Sequence, residues 1–255
     1  MAKIVSLINE KGGVGKTTST NLIAACLKHK NFNVLCIDFD PQGHLSFSMG
    51  AATREFPTIY DVIKRTVKAR YAIQHTPVTD IISANDILKS IEKEFTVAGN
   101  EQLLKNCIKQ VAPLYDYIII DSPPELGLIS ANALVASDVV LIPCLPDGYS
   151  LMGTIKVHET ILRMKQAFNP ELVIGGIFLV RFYPRERLSQ STAEVLGSIV
   201  EKLNLTVLET KIRHSNVLSD TTSVKQLDAV EHLSKNNAVL DYQSLVDELL
   251  EKRIL

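Results

Sequence analysis

The 255-residue sequence has little that would hold it in a membrane or direct it out of a cell. No apolar stretch approaches the roughly 20 residues that are needed to span a bilayer. The apolar run at the N-terminus is short, is interrupted by Asn9-Glu-Lys11 and is followed by no small-residue cleavage site, so it does not resemble a signal peptide. We therefore expect a cytoplasmic protein.

The sequence also lacks a disulfide framework. Its four cysteines form no C-x-x-C pair; Cys36 and Cys144 lie in apolar runs, and Cys26 lies in an alanine-rich helical segment. Such positions are typical of small buried side chains in a reducing compartment. We therefore expect free, buried cysteines.

Charge of one sign is not in excess, because the formal net charge is −1. No global field draws the protein to nucleic acid or to an anionic membrane, so any polyanion site must be a local patch. Hydrophobic residues make up 46% of the chain and charged residues 22%, as is typical of a globular protein. With no internal repeat, low-complexity tract or linker, we predict one domain over residues 1–255.

Short apolar segments alternate with longer helical patterns along the chain. The apolar segments are rich in Val, Ile and Leu without strict polar alternation, which indicates parallel strands covered on both faces. The predicted fold is α/β: a single-domain, doubly wound, mostly parallel sheet with helices on both faces, whose ligands bind beyond the carboxyl ends of the strands. The predicted strands are Lys3–Ile8, Asn33–Phe39, Asp80–Ala84, Tyr117–Asp121, Asp138–Pro143, Val173–Val180 and Thr206–Glu209. The predicted helices are Lys16–Lys30, Gln102–Val111, Ser130–Val135, Leu151–Ala167, Leu188–Leu203 and Leu240–Lys252.

A glycine-rich loop, Asn9-Glu-Lys-Gly-Gly-Val-Gly-Lys-Thr-Thr18, joins the first strand to the first helix. Its glycines allow positive φ angles and close approach of a ligand, and the helix that follows directs free N–H groups and its positive dipole end to the same place. Lys16 is placed to reach the β- and γ-phosphates of a nucleotide, and the Thr17 hydroxyl is placed to bind Mg²⁺. The predicted nucleotide-binding residues are Lys11, Gly12, Gly13, Val14, Gly15, Lys16, Thr17 and Thr18.

Acidic residues follow two further predicted strands. Asp38 and Asp40 lie two residues apart at the end of the second strand, where carboxylates can hold metal-bound water and orient an attacking water. Asp38 has an alternative interpretation as a turn-initiating residue before Asp40-Pro41. Asp121 follows four hydrophobic residues, the pattern of a carboxylate that binds Mg²⁺ through water.

The loop departs from the general pattern G-x-x-x-x-G-K-[ST], because Glu10 stands at the first glycine and Lys11 precedes Gly12. It resembles the deviant Walker A P-loop ATPases of the ParA/MinD type, whose signature is K-G-G-x-G-K-T. The resemblance implies that Lys11 reaches a nucleotide across a homodimer interface, where a cation stabilises the charge that develops in phosphoryl transfer. A solvated loop lysine is the alternative interpretation of Lys11.

The same resemblance assigns the remaining site. The run Asp-Phe-Asp-Pro-Gln-Gly43 matches the second motif of the family, except that His44 stands where the family usually has Asn. It implies that Asp40 positions the hydrolytic water and that Asp38 supports the magnesium shell, while Asp121 completes the magnesium site. The predicted catalytic residues are thus Lys11, Lys16 and Asp40, and the predicted metal residues are Thr17, Asp38 and Asp121. ATP rather than GTP also follows from the resemblance, and the sequence has no N-K-x-D base-reading motif.

Within the family the chain resembles the ParA/Soj branch of DNA-partition ATPases. The segments Leu141-Ile-Pro143, Tyr149–Gly153, Phe182–Ser189 and the stretch from Ile212 carry this likeness, and the strand that starts at Lys3 suggests the short type without a preceding DNA-reading domain. The resemblance implies an ATP-bound homodimer that binds DNA without sequence preference and associates with the nucleoid. It further implies a ParB-like centromere-binding protein as the partner that stimulates hydrolysis.

The DNA contacts that the resemblance implies are less well matched. Arg185 stands on a family arginine, but two later arginines of the family are replaced by His214 and Val217. Nearby Lys211, Arg213 and Lys225 are candidates to substitute for them, or they form an ordinary solvated face.

Three other uses of this scaffold lead to different expectations. A MinD-like membrane switch needs a basic amphipathic C-terminal helix, whereas acidic residues surround the apolar stripe Leu245, Val246, Leu249 and Leu250; we expect this helix to pack on the domain and form no stable membrane anchor. An iron-protein-like electron carrier needs cysteines for a cluster, and no suitable pair is present. An amide-forming ligase is expected to need an added substrate domain, and none is visible.

Overall fold

The computed structural model describes residues 1–97, 99–203, 205–218 and 226–255. Its centre is a seven-stranded sheet in the order β3-β4-β2-β5-β1-β6-β7, in which only the β3–β4 pair is antiparallel. The strands are β1 Lys3–Leu7, β2 Val34–Asp38, β3 Ile73–His75, β4 Asp80–Ile82, β5 Tyr117–Asp121, β6 Val139–Cys144 and β7 Val173–Leu179. This arrangement confirms the predicted mostly parallel α/β fold.

Helices cover both faces of the sheet. They are α1 Lys16–His29, α2 His44–Ser48, α3 Ile59–Ile63, α4 Ile91–Glu94, α5 Leu103–Ile108, α6 Leu128–Ala136, α7 Gly148–Ala167, α8 Arg187–Lys202, α9 Ala229–His232 and α10 Asn237–Glu251. Because successive strand residues point to opposite faces, Ile119 packs with α1 and α10, whereas Ile118 and Ile120 pack with α3, α5 and α6. Farther along the same face as α6, the helices α7 and α8 pack on β6 and β7.

The central strands are buried along their whole length, as their aliphatic composition predicts. Every residue of β2, β5 and β6 is buried. Leu7 lies beside Asp121 in the parallel register of β1 and β5, and Asp38 lies beside Asp121 in that of β2 and β5. The carboxyl ends of β1, β2 and β5 therefore bring the glycine-rich loop and two carboxylates together.

The C-terminal helix packs on the sheet, as predicted. Leu245, Val246 and Leu249 are buried, and Leu250 packs against the same cluster. Tyr242, also buried, shares a hydrogen bond of 2.8 Å with Ser19 of α1. Among the described helices, none has the length and apolar character of a membrane-spanning segment.

One strand prediction is wrong, and one strand was missed. The segment Thr206–Glu209 forms only an isolated bridge from Val207 to Ile177, because the amides of Glu209 and Thr210 donate to the carboxylate of Glu248 instead of extending a ladder. The edge strand β3 was not predicted, since it has only three residues, all exposed or half-buried, at the antiparallel edge.

Other boundaries differ by a few residues. Helix α7 starts at Gly148 rather than Leu151, because the Asp147 side chain caps it by accepting from the Ser150 amide. Helix α5 is shorter than the predicted Gln102–Val111 and ends at Ile108.

The cysteines are free, as expected, and Cys26, Cys36 and Cys144 are buried. Cys107 is half-buried, and its thiol donates to the carbonyl of Val62. Burial raises the pKa of all four thiols, to about 12 for Cys26 and Cys36 and about 11 for Cys144.

Candidate functional site: a nucleotide cradle

The glycine-rich loop ends in a helix start that is open to an anion. Gly13 and Gly15 have φ angles of 72° and 89°, a region that residues with a Cβ rarely adopt. Gly15 is the N-cap of α1, no side chain caps that end, and the first turn contains no acidic residue. The free N–H groups and the positive dipole end of α1 therefore remain available to a phosphate.

Lys16 lies inside this cradle. It is 6% exposed, and its Nζ donates to the carbonyl oxygen of Asn9 at 2.9 Å. Burial lowers the pKa of Lys16, while the carboxylates of Asp121 and Asp40 oppose that shift. The side chain thus places a cation among oxygen atoms on the floor of the loop.

Asn9 fixes the loop to the rest of the site, and sequence reasoning did not identify it. Its side-chain amide donates to the carbonyl of Pro143 at 2.7 Å, and its Oδ1 accepts from the Lys11 amide at 2.9 Å. Asn9 therefore joins the loop to the end of β6. The only sequence signal for this role was that Asn9 is a polar residue between β1 and the glycines.

Asp121 and Thr17 meet at the end of β5. The Thr17 hydroxyl donates to Oδ2 of Asp121 at 2.7 Å. Asp121 is fully buried, and burial followed by the neighbouring Asp38 raises its pKa well above the usual range. The two side chains present the oxygen donors that Mg²⁺ prefers, so the residues present fit that ion.

Asp38 and Asp40 occupy different environments. Asp38 is fully buried, and its Oδ2 accepts from the amide of Ser46 at 2.7 Å and from the Ser46 hydroxyl at 2.6 Å. Burial raises the pKa of Asp38 to about 6, although those hydrogen bonds oppose the shift. Asp40 follows the end of β2, accepts from the Gln42 amide and lines the cavity described below. Asp38 thus anchors α2, whereas Asp40 faces the ligand space.

Lys11 is turned away from the cradle. Its Nζ donates to Oδ2 of Asp147 at 2.7 Å and to the hydroxyl of Ser150 at 3.2 Å. Both charged side chains are about one-third exposed, at 35% and 32%. Within this chain the structure therefore brings Lys16, not Lys11, into the cradle.

A cavity of about 550 Å³ lies over the loop, within the size range of small-molecule sites. Asp40, His44, Pro124 and Arg181 contribute to its walls. Arg181 was not identified from the sequence; it follows β7 with a φ angle of 52° and adds a second cation to the wall. The loop residues on its floor are Gly12, Gly13, Val14, Gly15, Lys16, Thr17 and Thr18.

The residues considered for DNA lie beyond β7. Arg185 is exposed, and Nζ of Lys211 lies 5.0 Å from the ring centre of Phe182. Arg213 is engaged within the chain, since its guanidinium donates to both carboxylate oxygens of Asp241 at 2.8 and 2.6 Å. Lys225 lies outside the described residues.

Comparison with known proteins agrees with this architecture. A family model described as an AAA domain matches residues 2–174. The sporulation initiation inhibitor protein Soj of Bacillus subtilis is 35% identical over 86% of this chain and 88% of its own length. The chromosome-partitioning ATPase Soj of Treponema pallidum is 32% identical over 90% of this chain and 91% of its own.

Solved structures show the same fold. A putative plasmid partition protein of Borrelia burgdorferi, bound to AMPPNP, superposes with a TM-score of 0.83 at 25% identity and covers 99% of this chain and 100% of its own. Cobyrinic acid a,c-diamide synthase of Mycobacterium smegmatis, with bound ADP and magnesium, gives 0.85 at 28% identity, covering 98% of this chain and 94% of its own. The matched family model and the Soj relatives together show that the chain belongs to the ParA/Soj family of P-loop ATPases.

Proposed function

We propose that this protein is an ATP-dependent dimerising switch that binds non-specific DNA and hydrolyses ATP to partition DNA with a ParB-like partner. The observation that carries the proposal is the cradle of Gly13, Gly15, Lys16, Thr17 and Asp121 beneath a nucleotide-sized cavity. Its support from relatives is the match to two Soj proteins over most of the chain.

In this proposal each polar residue of the cradle has one role. Lys16 binds the β- and γ-phosphates, the amides of the loop bind the remaining phosphate oxygens, and Asp40 orients the attacking water. Thr17 and Asp121 hold Mg²⁺, which neutralises phosphate charge when it is bound. Asp38 supports that site by fixing α2 through Ser46 and by lying beside Asp121.

Lys11 acts only in the homodimer. In the protomer its ammonium group is held by Asp147 and Ser150, and it does not line the cavity. We infer that ATP-dependent pairing of two protomers draws Lys11 from Asp147 toward the nucleotide of the partner, where it offsets charge on the phosphates. The pair is partly exposed, so breaking it costs about 1 kcal/mol or less.

DNA binds, in this proposal, beside β7. Exposed Arg185 and Lys211 supply the phosphate contacts, and Arg213 positions Lys211 through its ion pair with Asp241. Because such binding is electrostatic, it should weaken steeply as salt increases. In cells this surface would place the ATP-bound dimer on the nucleoid.

Sizing the protein by sedimentation velocity tests the switch. We expect a monomer with Mg·ADP, a transient dimer with Mg·ATP and a stable dimer when Asp40→Ala protein is given Mg·ATP. Lys16→Ala should stay monomeric in each condition. Dimers of Lys16→Ala in Mg·ATP would refute the switch.

Retention of the protein on random-sequence DNA tests the proposed DNA binding. We expect Mg·ATP to increase retention at low salt, and we expect this increase to be lost in Arg185→Ala and to persist in Arg163→Ala, which removes an exposed arginine on α7 as a matched control. Absence of retention by the wild-type protein would end the DNA proposal. Liposome sedimentation separates the MinD-like alternative, which the burial of Leu245 and Leu249 against the core disfavours.

A further inference from the structure

Basic residues are concentrated at the β3 edge of the sheet, away from the nucleotide cradle and from the candidate DNA residues beyond β7. Residues 62–79 and 102–115 contain six lysines and arginines and no aspartate or glutamate, although the whole chain has a net charge of −1. The first stretch contains the end of α3 and strand β3, and the second contains all of α5. The charge of the molecule is therefore unevenly distributed.

The fold brings these two stretches together. Arg65 and Lys68 line a depression of about 380 Å³ together with Asn106 of α5. Lys109 donates to the side chain of that same Asn106 at 3.1 Å. Arg70 follows Ala69, another lining residue, so we define the far-edge surface as Arg65, Lys68, Arg70 and Lys109.

These four cations are exposed and unneutralised. Among the described residues, none of the four has a carboxylate oxygen within 4.0 Å of its side-chain nitrogen atoms. The nearby carboxylates are committed elsewhere: Asp61 accepts from Thr58, and Glu94 accepts from Tyr60 and Lys64. The positive potential of the surface is thus open to a ligand.

The chemistry of the surface favours phosphate over an acidic protein. The Arg70 guanidinium lies 4.6 Å above the exposed Tyr71 ring and donates to its hydroxyl at 2.7 Å, which holds one planar phosphate donor in place. The apolar residues that line the depression are buried or half-buried, so it lacks the exposed anchor that protein interfaces use.

The far-edge surface is independent of the nucleotide site. None of its four residues lines the nucleotide cavity, and its elements pack on the opposite face of the sheet from α1. The candidate DNA residues Arg185 and Lys211 follow β7, at the other edge of the same sheet. A ligand at the far edge therefore needs neither ATP nor the β7 side.

We propose that the far-edge surface binds the phosphate backbone of duplex DNA without nucleotide, giving each protomer a second DNA contact. The choice of DNA as the polyanion rests on the proposed function. Two DNA contacts on opposite edges would let one protomer join two duplex segments, or keep hold of one after the ATP-dependent contact is released.

Fluorescence anisotropy with a short random duplex tests this on nucleotide-free, full-length protein. Wild type should bind weakly at about 50 mM salt, and Arg65→Asn/Lys68→Gln should weaken binding about tenfold and reduce the salt slope by about 2. The control Lys89→Gln/Arg253→Asn removes the same two charges elsewhere. The two arginine substitutions are at matched backbone conformations, because Arg65 and Arg253 have φ angles of 59° and 56°, which asparagine tolerates. The control should bind within about twofold of wild type.

Two outcomes overturn the inference. One is equal DNA affinity of the surface variant and the control, with equal thermal midpoints. The other is that a poly-glutamate peptide binds wild type as tightly as the duplex does and that this binding is lost in the surface variant. That result would assign the surface to an acidic protein. Adding Mg·ATP separates the proposals: without any ATP-stimulated increase in wild-type binding, the proposed function fails while nucleotide-free binding still supports the far-edge surface.

Discussion

Asp38 and Asp121 place two carboxyl groups side by side on neighbouring strands, both fully buried. Burial is the main reason that the pKa of each lies above the usual value. A buried carboxylate costs free energy unless it is hydrogen-bonded or paired with a cation. Ser46 provides hydrogen bonds to Asp38, and Thr17 provides one to Asp121. Burial thus opposes negative charge on both groups, and a bound magnesium ion would favour their charged forms.

This burial predicts a pH dependence of stability. The pKa of Asp38 is about 6 in the folded protein and 3.8 in a model peptide, so the folded state binds this proton more tightly. Lowering the pH through about 6 should therefore increase the contribution of Asp38 to the unfolding free energy. Above pH 6 the buried carboxylate should destabilise the folded state by its full amount. In urea unfolding, Asp38→Asn should be more stabilising relative to wild type at pH 7.5 than at pH 4.5, by roughly 2 kcal/mol.

Asp247→Asn is the control for that measurement, because the Asp247 side chain is 51% exposed and faces Lys30 at the surface. Parallel pH profiles of wild type and Asp38→Asn would contradict the assignment.

The Lys11–Asp147 pair predicts an effect on dimerisation. Asp147→Asn removes the charge that holds Lys11, while its Oδ1 can still cap α7 by accepting from Ser150. Each protomer of the dimer gives up one such pair, and a partly exposed ion pair contributes about 1 kcal/mol or less, so the dimer association constant in Mg·ATP should increase up to about 30-fold. Sedimentation velocity measures the dimer association constant. The control is Lys11→Ala/Asp147→Asn, which should show no increase in that constant. An unchanged dimer constant in Asp147→Asn would show that Lys11 does not leave this partner.

At the scale of elements, α10 contacts both working parts of the molecule. Its Tyr242 bonds to Ser19 of the loop helix, its Asp241 holds Arg213, and its Glu248 accepts from the amides of Glu209 and Thr210. Burial alone would raise the pKa of Glu248, but hydrogen bonds from Lys252 and those amides lower it to about 2. The helix is thus tied to α1 and to the segment beside β7 by polar contacts as well as by its apolar stripe.

Tyr242→Phe should weaken that connection. It leaves the buried Ser19 hydroxyl without its partner, which costs about 1–2 kcal/mol of unfolding free energy. Thermal unfolding would show a lower midpoint, whereas Tyr183→Phe, at an exposed ring beside His214, should leave it unchanged. Equal midpoints of wild type and Tyr242→Phe would show that the bond contributes nothing.

Sequence patterns predicted the elements that carry strong local signals. The aliphatic strands β1, β2, β5 and β6 and the loop before α1 were located within about one residue, since burial on both faces and glycine spacing are visible locally. The edge strand β3 and the capped start of α7 were not located. Their positions depend on β4 and on the Asp147 side chain, neither of which a periodic pattern records.

The site was predictable to a similar extent. Lys16, Thr17, Asp40 and Asp121 converge because parallel strands end at one edge. Asn9 and Arg181 were missed, because their roles arise from Pro143 and from the backbone turn after β7. The engagement of Arg213 by Asp241 likewise joins residues that are 28 apart in sequence.

At the scale of the whole molecule, nucleotide binding should be visible as global stabilisation. A ligand present at about 100 times its dissociation constant adds about 2.7 kcal/mol to the unfolding free energy. Wild type should gain this from Mg·ATP, Lys16→Ala should gain almost nothing, and Lys11→Ala should gain nearly the full amount in the monomer because Lys11 lies outside the cavity. Thermal unfolding with and without Mg·ATP measures it. Equal gains in the two lysine variants would contradict the cradle as described.

The buried thiols have a practical consequence for labelling. Since burial raises the pKa of all four cysteines, little reactive thiolate exists near neutral pH. A single cysteine introduced on an exposed helix face should therefore take a maleimide dye selectively, without removal of the native ones. Two such populations, one with a donor dye and one with an acceptor, would report protomer pairing by energy transfer in real time.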